Sequence, residues 1–263
     1  MRVKSMIILA GLFVGLAAAC GLANGTSTDI RGDSFSVGGN PKIVVSGENG
    51  RVSLNAGPDN RVDVRATLRK PEDIEYTVTQ QGDVIIVVAK TDDGGIFDFG
   101  DSPNADIEIT APSNTRLELK TSNGGIDVNG IHQSGTMRTS NGTVVLDNVS
   151  GDFDIVITSI GGIIITRAVG SFIVETNNGG IEFDGELVPG GDNKMTTSNG
   201  SVDITLQGTP SVKLDGSTSN GSIDTGYPIL TSSPGDRHHL VGTIGRGEAA
   251  LLVRTSNGSV TIR

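Results

Sequence analysis

Tryptophan is absent from the 263 residues, tyrosine occurs twice and phenylalanine seven times, so aromatics make up 3% of the chain. A core cannot be assembled around large rings and must be filled by Val, Ile and Leu in thin layers. Cysteine occurs once, at Cys20, which excludes an internal disulfide. Charged residues are 19% of the total, too few for a solvated polyelectrolyte. Basic residues are outnumbered 20 to 30, giving a net charge of −10, and that sign excludes nucleic acid as a partner. What abounds is glycine, with 38 residues, about twice ordinary usage but without the three-residue period of collagen. No stretch after residue 20 carries a helical period, so the expected class is all-β.

Residues 1–20 read MRVKSMIILAGLFVGLAAAC. Arg2 and Lys4 precede a short apolar run, Met6 to Ala19, that ends in three small residues before Cys20. This is the grammar of an export signal, too short for a full membrane span. Cleavage would make Cys20 the first mature residue. The arrangement resembles the bacterial lipobox, which implies lipidation of Cys20, although Ala17 stands where Leu is usual. Residues 21–32 are small and polar and read as a flexible tether. The protein is therefore expected outside the cytoplasm, lipid-anchored to a bacterial membrane.

A repeat organises the remainder. The segments TSNGGIDV, TSNGTVVL, TSIGGIII, TNNGGIEF, TSNGSVDI, TSNGSIDT and TSNGSVTI begin at 121, 139, 158, 176, 197, 218 and 255, intervals of 18, 19, 18, 21, 21 and 37. Apolar residues alternate on both sides of each Asn-Gly, as in Leu117 and Leu119, then Ile126 and Val128. That period of two makes strands with one buried face, and Asn-Gly suits a sharp bend between them. Hairpins would not need the same four residues at every turn, whereas stacked coils would. The expected fold is a parallel β-solenoid, single-stranded and β-helix-like, with coils of about 18–21 residues spanning 116–263. Asn123, Asn141, Asn178, Asn199, Asn220 and Asn257 then form a structural amide ladder at about 4.8 Å spacing. Thr121, Thr139, Thr158, Thr176, Thr197, Thr218 and Thr255 form a second column. Residues 33–115 are strand-rich but less regular, and read either as degenerate coils or as an antiparallel cap.

These Thr-Ser-Asn-Gly units, the alternating strands before them and the export signal resemble a bacterial family of "putative adhesins" of unknown function with β-strand repeats. The likeness covers residues 33–263. It implies a β-helix-like solenoid at the cell surface and carries over no catalytic residue.

Six residues past each repeat Thr stand Asp127, Val145, Ile164, Glu182, Asp203, Asp224 and Thr261. Glu182, Asp203 and Asp224 are expected to project outward from successive coils. Their spacing would approach the roughly 5–5.5 Å carboxyl separation of retaining glycosidases, the basis of an alternative reading as a polysaccharide hydrolase or lyase. The same three are candidate ligands for a divalent cation. The plainer reading is a solvated polar face, with no catalytic residue, no metal and no cofactor. His238 and His239, in the widened gap between repeats, read as loop. Aligning TSIGGIII on its Thr points Val156, Ile163 and Ile165 inward and Ile155, Ile157 and Ile164 outward. With Ile160, which replaces the turn Asn, and Ile173, these form a candidate docking patch, covered either by residues 33–115 or by a partner. The expected function is a non-catalytic, adhesin-like binding or scaffold module of the cell envelope. Its partner is a surface protein or glycan, and its membrane contact is the lipid.

Overall fold

The computed structural model describes residues 27–91, 102–231 and 237–263. Cys20 with the rest of the expected export signal, and most of the acidic stretch DDGGIFDFGDSPNAD at 92–106, which reads as a solvated loop, lie outside the described residues. The described residues form an all-β, largely parallel, β-solenoid-like fold. They contain one 3-10 turn, Pro71–Asp73, and no helix long and apolar enough to cross a membrane.

Each coil is a strand, a bend and a second strand. Arg116–Lys120 leads to Ile126–Asn129, and Gly135–Asn141 to Val144–Asp147. First strands pair in parallel with first strands, and second with second. Gly135 faces Leu117 on one side and Phe153 on the other, while Val144 lies between Ile126 and Ile163. The 16-residue strand Ile163–Asn178 serves two coils, its start in one sheet and its end in the other. Alternation along most strands buries one face, as in Val202–Leu206. The two buried faces close on a narrow core of Val, Ile and Leu. Among the described residues the fully buried rings lie in the middle, where Phe153 stacks on Phe172 at 5.8 Å and Phe172 meets Phe183 edge-on at 5.1 Å. Coil 150–166 supplies one of these rings and coil 171–187 the other two.

Spatial order departs from chain order. Among the described residues the stack runs through coils 84–111, 42–56, 116–129, 135–147, 150–166, 171–187, 192–206, 249–262 and 212–225. Coil 42–56 is wedged between two that are adjacent in sequence, and so is coil 249–262. Part of 33–115 thus stacks as coils, and part is antiparallel: Arg61–Arg69 pairs with Asn104–Ala111, and Ile74–Gln81 with Val84–Thr91. The widened gap holds two antiparallel strands, Leu230–Thr231 and His239–Ile244, so His239 is in a strand rather than a loop.

The tether reading needs shortening. Thr28–Ser36 is a strand paired antiparallel with Arg61–Arg69, so residues 28–32 belong to the sheet. Its register places Asp29, Arg31 and Asp33 opposite the buried Leu68, Ala66 and Val64. Charges thus face inward at this end, where a further strand would have to add, and inward charge guards an open sheet edge. Arg31 lies over the Tyr76 ring at 5.7 Å. Burial, reinforced by Asp33, pushes the Tyr76 phenol well above its ordinary range.

Candidate functional site

The repeated turns build one edge of the stack from three ladders. The outermost is the asparagine amides. Asn123 donates to Asn49 at 2.8 Å, Asn141 to Asn123 at 2.9 Å, Asn199 to Asn178 at 2.8 Å, Asn257 to Asn199 at 2.7 Å and Asn220 to Asn257 at 2.9 Å. Asn49 is half-buried and the other six side chains are exposed. The series breaks once, at Ile160, where Asn178 donates instead to the Ser159 carbonyl.

Beneath lies a backbone ladder of glycines. The Gly179 N–H donates to the Asn199 carbonyl, and the Gly200 N–H to that of Asn257. At Gly124, Gly142, Gly161, Gly179, Gly200, Gly221 and Gly258 a Cβ would collide with the carbonyl of the neighbouring coil's glycine. The repeat needs glycine here because adjacent turns lie backbone on backbone, a stacking constraint that reading Asn-Gly only as a bend misses.

Innermost are buried threonines. The hydroxyl of Thr139 donates to the Gly124 carbonyl at 3.0 Å, Thr176 to Gly161 at 2.8 Å and Thr197 to Gly179 at 2.9 Å. Thr121, Thr218 and Thr255 make the same contact to Gly50, Gly258 and Gly200. Thr158 does not belong to this column. Ile157 stands in it, paired with Thr139 and Thr176, and an extra residue bulges before Ile160.

That bulge corrects the docking patch. Ile155 and Ile157 are 0% and 1% exposed, inside the core, and Val156 is on the outer face. Of the remaining members, Ile160 is 62% exposed on the turn edge and Ile173 is 44% exposed on the first sheet. Ile164 is partly exposed on the second sheet. The five do not form one surface.

The acidic column is also interrupted. Glu182 is paired with Asp203, but Asp203 is followed by Thr261, and Thr261 by Asp224. Insertion of coil 249–262 separates Asp224 from the other two. No metal-binding cluster of His, Cys, Asp and Glu occurs among the described residues. At the far end of the same column Asp127 forms an ion pair with Arg51 at 3.1 Å.

A groove of about 430 Å³ crosses the outer face of the first sheet. Arg116, Ser134, Asp152, Ser171 and Asp192 lie along it, with Ile173 projecting into it. Units that begin at the repeat Thr leave out this row, which lies at the opposite end of the strands. Extending the period backward, from 116 to 134, 152, 171 and 192, exposes it.

The order of the amide ladder sets an expectation. Asn257 lies between Asn199 and Asn220, so it is an interior rung despite its place in the sequence. Asn199→Ala and Asn257→Ala should each lower stability by about 1 kcal/mol, a typical net cost for solvent-exposed hydrogen bonds. Asn220→Ala, which ends the ladder, should cost less. Urea unfolding midpoints check the ranking.

A fold of stacked parallel coils bound by ladders at every turn has a counterpart among known families. The Toastrack family model (DUF4097) matches residues 132–263, and the chain belongs to this family. Among solved structures, one named a "putative adhesin" from Bacteroides fragilis shares 13% identity over 89% of this chain and 97% of its own, with a TM-score of 0.53. It has the same overall fold. A "putative adhesin" from Parabacteroides merdae shares 12% identity over 91% of this chain and 97% of its own, with a TM-score of 0.41. A "putative lipid binding protein" from Parabacteroides distasonis shares 11% over 91% and 98%, also with a TM-score of 0.41. No curated protein matches the sequence.

Proposed function

We propose that this protein is a non-catalytic binding or scaffold module of the bacterial cell envelope, held to a membrane by lipid on Cys20. Its coils, of about 18–21 residues each, form a rod whose outer faces meet an extended protein or glycan. The observation that carries this reading is the regular outer surface. Outward side chains recur in straight rows, as in Glu118, Thr136, Asp154, Ile173 and Lys194 along the first sheet. Successive members lie about 4.8 Å apart, so the row spans roughly 20 Å. Such a row suits a partner that is itself extended and repetitive. The name of the Bacteroides fragilis structure is consistent with a surface role.

Anchoring is tested separately from binding. Cys20→Ser should move the protein from the detergent phase to the aqueous phase on partitioning, because a lipid contributes about 0.8 kcal/mol per buried CH₂. Unchanged partitioning rejects lipidation. For binding, the purified ectodomain is passed over arrays of envelope proteins and glycans, with substitution of Ile173 and Lys194 expected to reduce retention. The alternative, a carbohydrate-active enzyme, draws on the pairing of Glu182 with Asp203. Turnover of a uronic-acid or neutral polysaccharide that Asp203→Asn abolishes would replace the binding reading with that one.

A further inference from the structure

Coil 249–262 occupies a slot whose walls are coils 192–206 and 212–225, which are joined in sequence by residues 207–211. One wall offers the Gly200 carbonyl to Thr255 and the Asn199 amide oxygen to Asn257. On the other side Thr218 donates to the Gly258 carbonyl and Asn220 to the Asn257 amide oxygen. Backbone bonds follow the same scheme: Val202 N–H to Ser259 and Val260 N–H to Ser222. The slot therefore recognises a strand–Asn-Gly–strand unit by its ladders, and nothing in those ladders requires that the unit come from the same chain.

The route into the slot is a short crossing. His239–Ile244 lies antiparallel on one side of Val212–Asn220, and Ala249–Asn257 lies parallel on the other. Residues 245–248 carry the chain over the start of that strand. Gly245 and Gly247 have φ of +61° and +71°, the left-handed region that glycine enters at little cost. A Cβ at Gly245 would strike the Pro210 carbonyl. The crossing is tight, and a tight hinge beside a self-complementary element is the arrangement that favours exchange of that element between copies.

We infer that the slot between coils 192–206 and 212–225 is a docking site for coil 249–262 of a second copy, giving a dimer joined by exchanged coils. The ladder contacts are the same in both forms, so hinge geometry and concentration set the balance.

Two measurements test this, both in a Cys20→Ser background. Thr196 faces Arg254 across the slot wall, both side chains outward. Neighbouring parallel strands are about 4.8 Å apart, within the Cα range of a disulfide, about 4.4–6.8 Å. A chain carrying Thr196→Cys and a differently tagged chain carrying Arg254→Cys are unfolded, refolded together at high concentration and mildly oxidised. The expected product is a mixed disulfide of twice the monomer mass, formed only between unlike chains. One chain with both substitutions should close on itself, and closure there without the mixed product overturns the inference. Deletion of Arg246 and Gly247 shortens the crossing and should double the mass by light scattering with an unchanged β circular dichroism spectrum. A folded monomer from that variant overturns the inference independently, including where the double-cysteine chain does not close.

Discussion

Gly179→Ala is expected to lower the thermal midpoint by about 6–12 °C, whereas Gly39→Ala leaves it unchanged. A Cβ at Gly179 would sit 2.1 Å from the Gly161 carbonyl oxygen and 2.5 Å from its carbon. That carbonyl already accepts from Thr176 at 2.8 Å, and its turn is held on both sides, by the Gly161 N–H to the Asn178 carbonyl and by the Gly142 N–H to the Ile160 carbonyl. Relief by a rotamer change is impossible because the obstructing atoms are backbone. The coils must separate locally, which breaks the glycine, threonine and asparagine ladders together. Overpacking ordinarily costs 1–3 kcal/mol, and a rigid obstruction lies at or above the upper end, so about 3 kcal/mol is expected. For a chain this long each kcal/mol shifts the midpoint by roughly 2–4 °C. Gly39 has no atom within 4 Å of its would-be Cβ and serves as control. Equal melts for the two variants would mean that the turns do not touch.

The coils were legible because the Asn-Gly bend, the buried Thr and the alternating apolar residues recur together at the spacing a coil demands. Their order was not legible, and for a physical reason. TSNGSVDI, TSNGSIDT and TSNGSVTI present the same donors and acceptors, so a wall built by one accepts either of the others. The position of Asn257 between Asn199 and Asn220 is set by connections, which no repeat records. The same interchangeability undid the acidic column. Asp203 and Asp224 are consecutive in the sequence repeat, yet Thr261 stands between them. The inward charges of Thr28–Ser36 were hidden for a different reason. A strand whose buried-side positions are Asp29, Arg31 and Asp33 has no apolar alternation to find, so it reads as polar linker.

The bulge at 157–160 was legible but outvoted. Thr158-Ser159 matches the Thr-Ser of the other repeats, and aligning on it turns Ile155 and Ile157 outward. The preceding residues point the other way. Asp152 and Asp154 demand water, so Phe153, Ile155 and Ile157 must share the opposite, buried face. A charge in the core costs more than one extra residue in a strand, and strands accept such a residue as a bulge. The burial of Ile157 at 1% exposure follows.

Ile157→Lys should therefore cost about 4 kcal/mol or more, in the range that marks a charge forced into a core. Association should play no part, because the side chain is inside the monomer. Ile157→Thr is the informative companion. It restores the residue that the neighbouring coils carry, and its hydroxyl would lie where Thr139 and Thr176 reach the glycine carbonyls of the coil before them. The carbonyl within its reach is that of Gly142, the next in the glycine ladder. The exchange gives up part of a buried aliphatic side chain, about 1–2 kcal/mol, and gains a hydrogen bond of about 1 kcal/mol. A small net loss is expected, under about 1.5 kcal/mol, and far smaller than that of Ile157→Lys. Denaturant melts of the two variants at matched concentration read the difference directly. If Ile157→Lys melts like the unsubstituted protein, Ile157 faces solvent and the bulged register is wrong.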